Sequence, residues 1–174
     1  MKYFVKFFVV TFLLLICTYA SAEQKIVYMD LKHVLNNSKA GKGAQDFLQK
    51  SFKENQKKFV DEENALKKEK NDLLTQKTIL TKEEYQKKTD NLRKKVIDYQ
   101  SQRRLSLEKI TAQRAEARQK LLEILDPILK TYTEENNISL VIDKKDILVG
   151  NTDLDITNII VKKLNKKLPS LSIK

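Results

Sequence analysis

From Ala44 to Asn136 the chain carries no glycine and a single proline, Pro127, and one apolar line threads it at a spacing of seven. Phe52, Phe59, Leu66 and Leu73 make the first half of the line, and Tyr85, Leu92 and Tyr99 make the second. A repeat of seven keeps residues on one stripe of a helix. Folded antiparallel, the two halves pair Phe59 with Tyr99, Leu66 with Leu92 and Leu73 with Tyr85, all centred on Ile79. Leu48 with Ile110 fits the same centre, while Phe52 falls opposite Ser106 with Leu107 beside it. An independent signal starts a helix at that centre, because Thr81-Lys82-Glu83-Glu84 has the form of a capping box. The stretch therefore reads as one long helical hairpin, residues 44–136, with its tip at 78–81.

The first arm has about one strong apolar position per heptad, fewer than a core-facing helix shows. Ion pairs with the acid four residues before the base support the arms: Glu54/Lys58 and Glu63/Lys67 in the first, and Glu83/Lys87, Glu84/Lys88, Asp90/Lys94 and Glu116/Lys120 in the second. At ~1.5 Å per residue the first arm is roughly 50 Å long. The returning arm broadens through Ile110, Ala117, Leu121, Ile124 and Leu125, which predicts docking on a compact body. Pro127 predicts a kink or break there.

That body is read from residues 23–43 and 137–174. Lys25–Asp30 predicts a strand, and Leu31–Asn36 a brief helix broken by Asn36-Asn37-Ser38 and by Gly41 and Gly43. Ile138–Asp143 predicts a second strand, joined by a Lys144-Lys145-Asp146 hairpin to a third at Ile147–Gly150. Asp153-Leu154-Asp155 offers an N-cap to a helix carrying Ile156, Ile160 and Leu164, which Pro169 stops. The fold class is α+β, a coiled-coil-like arm projecting from a small body. A body of this size without staples is marginal alone, and open strand edges invite pairing, so self-association is expected over a monomer whose arm bases cover the sheet.

The opening Met1-Lys2-Tyr3-Phe4-Val5-Lys6, the apolar run from Phe7 to Cys17 and the exit Ala20-Ser21-Ala22 describe a secretory signal peptide, cut after Ala22. The apolar run is shorter than the ~20 residues that a spanning helix needs. Cys17, the chain's one cysteine, leaves with it, so export adds no disulfide. Lys2 and Lys6 leave too, which takes two from the chain's net charge of +11 and still leaves it basic. Such a balance favours acidic partners. The distal arm holds the densest bias, at Lys77, Lys82, Lys87, Lys88, Arg93, Lys94 and Lys95. It reads either as a contact for an anionic membrane surface or lipopolysaccharide, each base adding about 1 kcal/mol, or as a solubilising surface. Ile79 and Leu80 at the bend either touch a partner or close the hairpin.

Chemistry has little to build on. His33 is the one histidine, and residues 23–174 contain no thiol. Gly41, Gly43 and Gly150 make no phosphate loop, and no metal-ligand spacing occurs. Acid pairs such as Glu62-Glu63 read as solvated helix faces. No catalytic residue, cofactor or metal is expected, and no specific nucleic acid.

The flanks of the hairpin carry a more specific signal. An exported chain opens with Lys25-Ile26-Val27-Tyr28-Met29-Asp30 and continues through Val34-Leu35-Asn36-Asn37-Ser38-Lys39-Ala40-Gly41-Lys42. After the hairpin come Ile138-Ser139-Leu140-Val141-Ile142-Asp143 and Asp155-Ile156-Thr157. In that order these segments resemble the OmpH/Skp family of periplasmic chaperones across residues 23–174. The resemblance implies a homotrimer whose strands form a central body and whose hairpins enclose a cavity. It implies a holdase for unfolded outer-membrane β-barrel proteins, working without nucleotide. Two other readings compete with it: a periplasmic scaffold for one folded partner, and a binder of anionic polymers such as lipopolysaccharide.

Overall fold

A computed structural model describes Tyr3 and residues 24–173; apart from Tyr3, the expected signal peptide lies outside the described residues. In chain order these form β1 (Lys25–Met29), α1 (Leu31–Asn37), α2 (Lys39–Thr75), α3 (Lys82–Glu135), β2 (Ile138–Asp143) and α4 (Thr157–Lys167). Short 3-10 turns stand at Gln76–Thr78, Lys144–Asp146 and Thr152–Leu154.

Side-chain caps set the helix starts. The Asp30 carboxylate accepts from the His33 N–H at 2.7 Å and opens α1. Ser38 Oγ accepts from the Gly41 N–H at 3.1 Å and opens α2. The expected break at Gly41 and Gly43 is absent, and both glycines lie inside α2. Gly41 has a packing reason, since a Cβ there would stand 1.8 Å from the Leu35 carbonyl oxygen. Its missing side chain lets α2 begin hard against the end of α1.

The hairpin is α2, the turn and α3. At its tip Thr81 Oγ1 accepts from the Glu84 N–H at 3.3 Å, and Glu84 Oε2 accepts from the Thr81 N–H at 3.0 Å. The capping box read from the sequence is formed. Phe59 meets Tyr99 edge to face, ring centroids 6.0 Å apart at 72°, the geometry aromatic quadrupoles favour. Leu48, Phe59, Leu73 and Ile110 are buried, and Leu66, Tyr85, Leu92 and Tyr99 are half-buried. Phe52 and Leu107 depart from the expected seam, being 43% and 48% exposed. Ser106, opposite Phe52, is too short to cover it.

Two of the expected ion pairs form, Glu63–Lys67 at 2.7 Å and Glu116–Lys120 at 2.5 Å. Elsewhere the acids choose other partners: Glu54 takes Lys50, Lys58 takes Glu62, and Asp90 takes Arg93. Glu84 is held by the cap, and Lys88 donates to Gln76 Oε1 across the hairpin. These sites are exposed, where several partners compete at little energetic difference. Nor does Pro127 break α3, which runs through it. Pro127 is exposed, so the carbonyl that its missing N–H would have served can turn to water.

β1 and β2 pair in parallel, with Ile26 beside Leu140 and Val27 beside Val141. Parallel neighbours need a long crossover, and here the whole hairpin supplies it. Val27, Met29, Val34, Leu35, Leu121 and Leu125 share the core with Ile156, Ile160 and Leu164. The broad face of α3 thus docks on the body as expected. The third strand is not formed: after the Lys144–Asp146 turn, residues 147–150 leave the sheet. Leu148 and Val149 stand fully exposed there, with no strand beside them to pair. The chain instead returns to the free edge of β1, where the Ile156 N–H donates to the Tyr28 carbonyl at 2.9 Å. The N-cap position of α4 is Ile156, one residue later than expected. Asp155 still serves that helix, accepting from the Thr157 N–H at 2.9 Å. Among the described residues no helix is long and apolar enough to cross a membrane.

A groove along the hairpin as the candidate binding site

Two helices held by a thin seam leave hollows beside it. At the base, Ala44 and Ala117 are too small to fill the space between α2 and α3. A hollow of about 600 Å³ opens there, walled by Leu48, Phe52, Arg114 and Arg118. Phe52 also lines the next hollow, about 180 Å³, together with Phe59, Val60 and Leu107. Tyr99, Arg103 and Leu107 carry the surface on into a third of about 650 Å³ around Leu66, Leu92 and Val96. Lys70, Leu92 and Val96 lead into a fourth of about 320 Å³, which reaches Leu74, Tyr85 and Ile97. Shared walls make the four hollows one groove from the arm base nearly to the tip.

The groove is apolar at its floor and basic at its rim. Its two lining carboxylates are already engaged, Glu63 by Lys67 and Glu108 by Arg104 at 3.4 Å. The Lys67 hydrogen bond and charge, helped by the Tyr99 hydroxyl, outweigh desolvation and hold the Glu63 carboxyl below the ordinary range. Lys70, Arg114 and Arg118 form no ion pair among the described residues. Apolar wall next to uncompensated cation is a surface for amphipathic chain.

Another stretch of the hairpin differs in kind. Lys95 bonds Glu69 at 2.7 Å and Lys88 bonds Gln76 at 2.9 Å, spanning the two helices. Together with Asp72, Lys94 and Asp98 they line a polar hollow of about 500 Å³. The distal cations of the sequence reading are therefore divided. Lys88, Arg93 and Lys95 have partners, whereas Lys77, Lys82, Lys87 and Lys94 are exposed and form no ion pair among the described residues. At the bend Ile79 is 82% exposed and Leu80 half-buried.

Lys70, Arg103, Arg114 and Arg118 were not singled out by the apolar pattern, although a signal for two of them exists. Arg103 interrupts the seven-spaced line Val96, Ile110, Ala117, and Arg114 stands between Leu107 and Leu121. A cation inside an apolar heptad line marks a seam that opens to solvent. Among the described residues no group of three or more His, Cys, Asp or Glu side chains is placed to hold a metal ion.

Comparison with known proteins bears on this architecture. The family model described as "Outer membrane protein (OmpH-like)" matches residues 25–164, from the first strand into the last helix. The chain belongs to the OmpH-like family. No curated protein matches it. A crystal structure of an OmpH-like protein from Caulobacter crescentus CB15, provisionally described as an outer membrane chaperone, superposes with a TM-score of 0.80. It is 18% identical, with 90% of this chain and 93% of that one covered. At that identity the likeness is one of fold, and the OmpH-like hairpin on a small body is shared.

Proposed function

We propose that this OmpH-like protein is an exported, ATP-independent holdase that binds unfolded outer-membrane β-barrel proteins in the periplasm and keeps them from aggregating. The observation that carries the reading is the continuous apolar groove with a basic rim, on an arm too thin to be a rigid strut. Family membership and the likeness to the Caulobacter protein, provisionally described as an outer membrane chaperone, support it. Work of this kind needs no catalytic group or nucleotide. The test is dilution of a urea-unfolded β-barrel protein into buffer with or without residues 23–174. Suppressed light scattering is expected, and aggregation as fast as in buffer alone would sink the proposal.

The same reading includes a signal peptide removed after Ala22, and a body that assembles as a homotrimer. On the sheet, Ile26 and Leu140 are cross-strand partners and are 44% and 52% exposed. Leu148 and Val149 add exposed apolar surface in the body, a combination that favours burial between copies. Multi-angle light scattering is expected to give three times the chain mass, and a mass near one chain would refute the trimer.

A second reading rests on the distal arm, where Ile79 at the bend and Lys77, Lys82 and Lys87 near it in sequence are all exposed. Exposed apolar and cationic side chains together suit lipopolysaccharide or an anionic membrane surface. Binding to anionic vesicles that weakens with salt and with Ile79→Ser would support it; salt-independent binding would not.

A further inference from the structure

We infer that the groove is a track for one extended chain segment in which carboxylates are interspersed among apolar side chains. This rests on the holdase reading and adds to it the chemistry that the site selects. From Leu48 to Leu73 along α2 the groove is ~38 Å long at ~1.5 Å per residue. That length holds about eleven residues of extended chain at ~3.3 Å each. The hollows around Phe52, Leu66 and Tyr85 take the apolar side chains of such a segment.

The cations set the other half of the code. Arg114 and Arg118 stand at the base, Arg103 in the middle and Lys70 further out. Arg103 and Arg114 are ~16 Å apart along α3 at ~1.5 Å per residue, about five residues of extended chain. Carboxylates about four or six residues apart, which lie on one side of an extended chain, would meet the cations while their neighbours fill the hollows. With both lining acids already engaged, an incoming carboxylate displaces no internal partner from Arg114, Arg118 or Lys70. A basic segment meets these same cations as repulsion. The groove therefore discriminates by sign of charge as well as by hydrophobicity.

The test uses residues 23–174 and three fluorescein-labelled twelve-residue peptides of alternating Val and Leu. They carry Asp, Asn or Lys at the same three positions, and binding is read by fluorescence anisotropy. The Asp peptide is expected to bind at least about fivefold more tightly than the Asn peptide, and the Lys peptide most weakly. The triple variant Arg103→Gln/Arg114→Gln/Arg118→Gln is expected to lose the Asp preference, with helix content and assembly mass unchanged. A control, Lys77→Gln/Lys82→Gln/Lys87→Gln, is expected to keep it. Equal affinity for Asp and Asn peptides, or a preference that survives the triple variant, overturns the inference. So does an altered assembly mass in that variant, which would make a second copy the occupant. If aggregation is suppressed without an Asp preference, only the track falls. If the preference is present without suppression, the holdase reading falls and the track stands.

Discussion

Gly41 and Gly43, two residues apart in one helix, separate backbone propensity from packing. A Cβ on Gly41 meets the Leu35 carbonyl at 1.8 Å, and a Cβ on Gly43 meets nothing within 4 Å. Gly41→Ala is expected to destabilise the body by about 2 kcal/mol or more, since backbone must move. Gly43→Ala is expected to stabilise it by about 0.5–1 kcal/mol through helix propensity. Urea unfolding followed by far-UV circular dichroism measures both, and equal effects would mean the close approach is not maintained. Asp155 supplies a pH-dependent contact at the same scale. Burial pushes its carboxyl up, but the Lys144 hydrogen bond, the two Thr157 bonds and the Lys144 charge outweigh burial and leave it below its ordinary value of 3.8. A lowered folded-state value gives stability that is present above the unfolded value and lost as pH falls through the folded one. Asp155→Asn is therefore expected to lower the unfolding temperature at pH 7, with the gap closing below about pH 4. A gap that does not narrow as pH falls below about 4 would contradict this.

At the scale of elements, the hairpin was the most legible part. Phe59 against Tyr99 and the Thr81–Glu84 box follow from regular spacing and local hydrogen bonding, and both signals are carried by residue type and position alone. What is not legible depends on how backbone segments approach each other in space. Gly41 looked like a breaker because its reason is the Leu35 carbonyl. Residues 147–150 looked like a strand because Ile147-Leu148-Val149 is apolar and partly β-branched. The chain instead runs on past β2, and its backbone at Asp155 and Ile156 joins the other edge of the sheet, at Tyr28 of β1. The groove itself is not visible in a count of apolar residues, because Ala44 and Ala117 at its base and Arg103 and Arg114 along it stand where a closed seam would carry Leu. The half-buried seam predicts how the arm yields. Leu66→Asn or Leu92→Asn is expected to speed amide exchange in the distal arm while leaving β1, β2 and α4 protected. Loss of protection throughout the chain would show that arm and body unfold as one unit.

Across the whole molecule, a small core built from both ends of the chain holds a hairpin whose distal length lies far from it. α2 and α3 touch mainly each other, so little except their own seam resists bending. The body closes the chain, since β1, β2 and α4 are brought together from opposite ends of the sequence. Arms carrying a long groove with an apolar floor and a basic rim would suit extended partners better than one folded surface. A scaffold for a single folded partner would instead be expected to place its specificity on a rigid element. The division between the grooved surface and the polar, ion-paired hollow is the feature on which the account turns. Residues 23–174 contain no cysteine, so a photo-crosslinker can be placed at one introduced thiol. Val96→Cys puts it in the groove, and Asn91→Cys puts it in the polar hollow. With a urea-unfolded β-barrel protein diluted onto each variant, crosslinked client is expected from Val96→Cys and little from Asn91→Cys. Equal yields, or the reverse order, would contradict the claim that the groove is where the client lies.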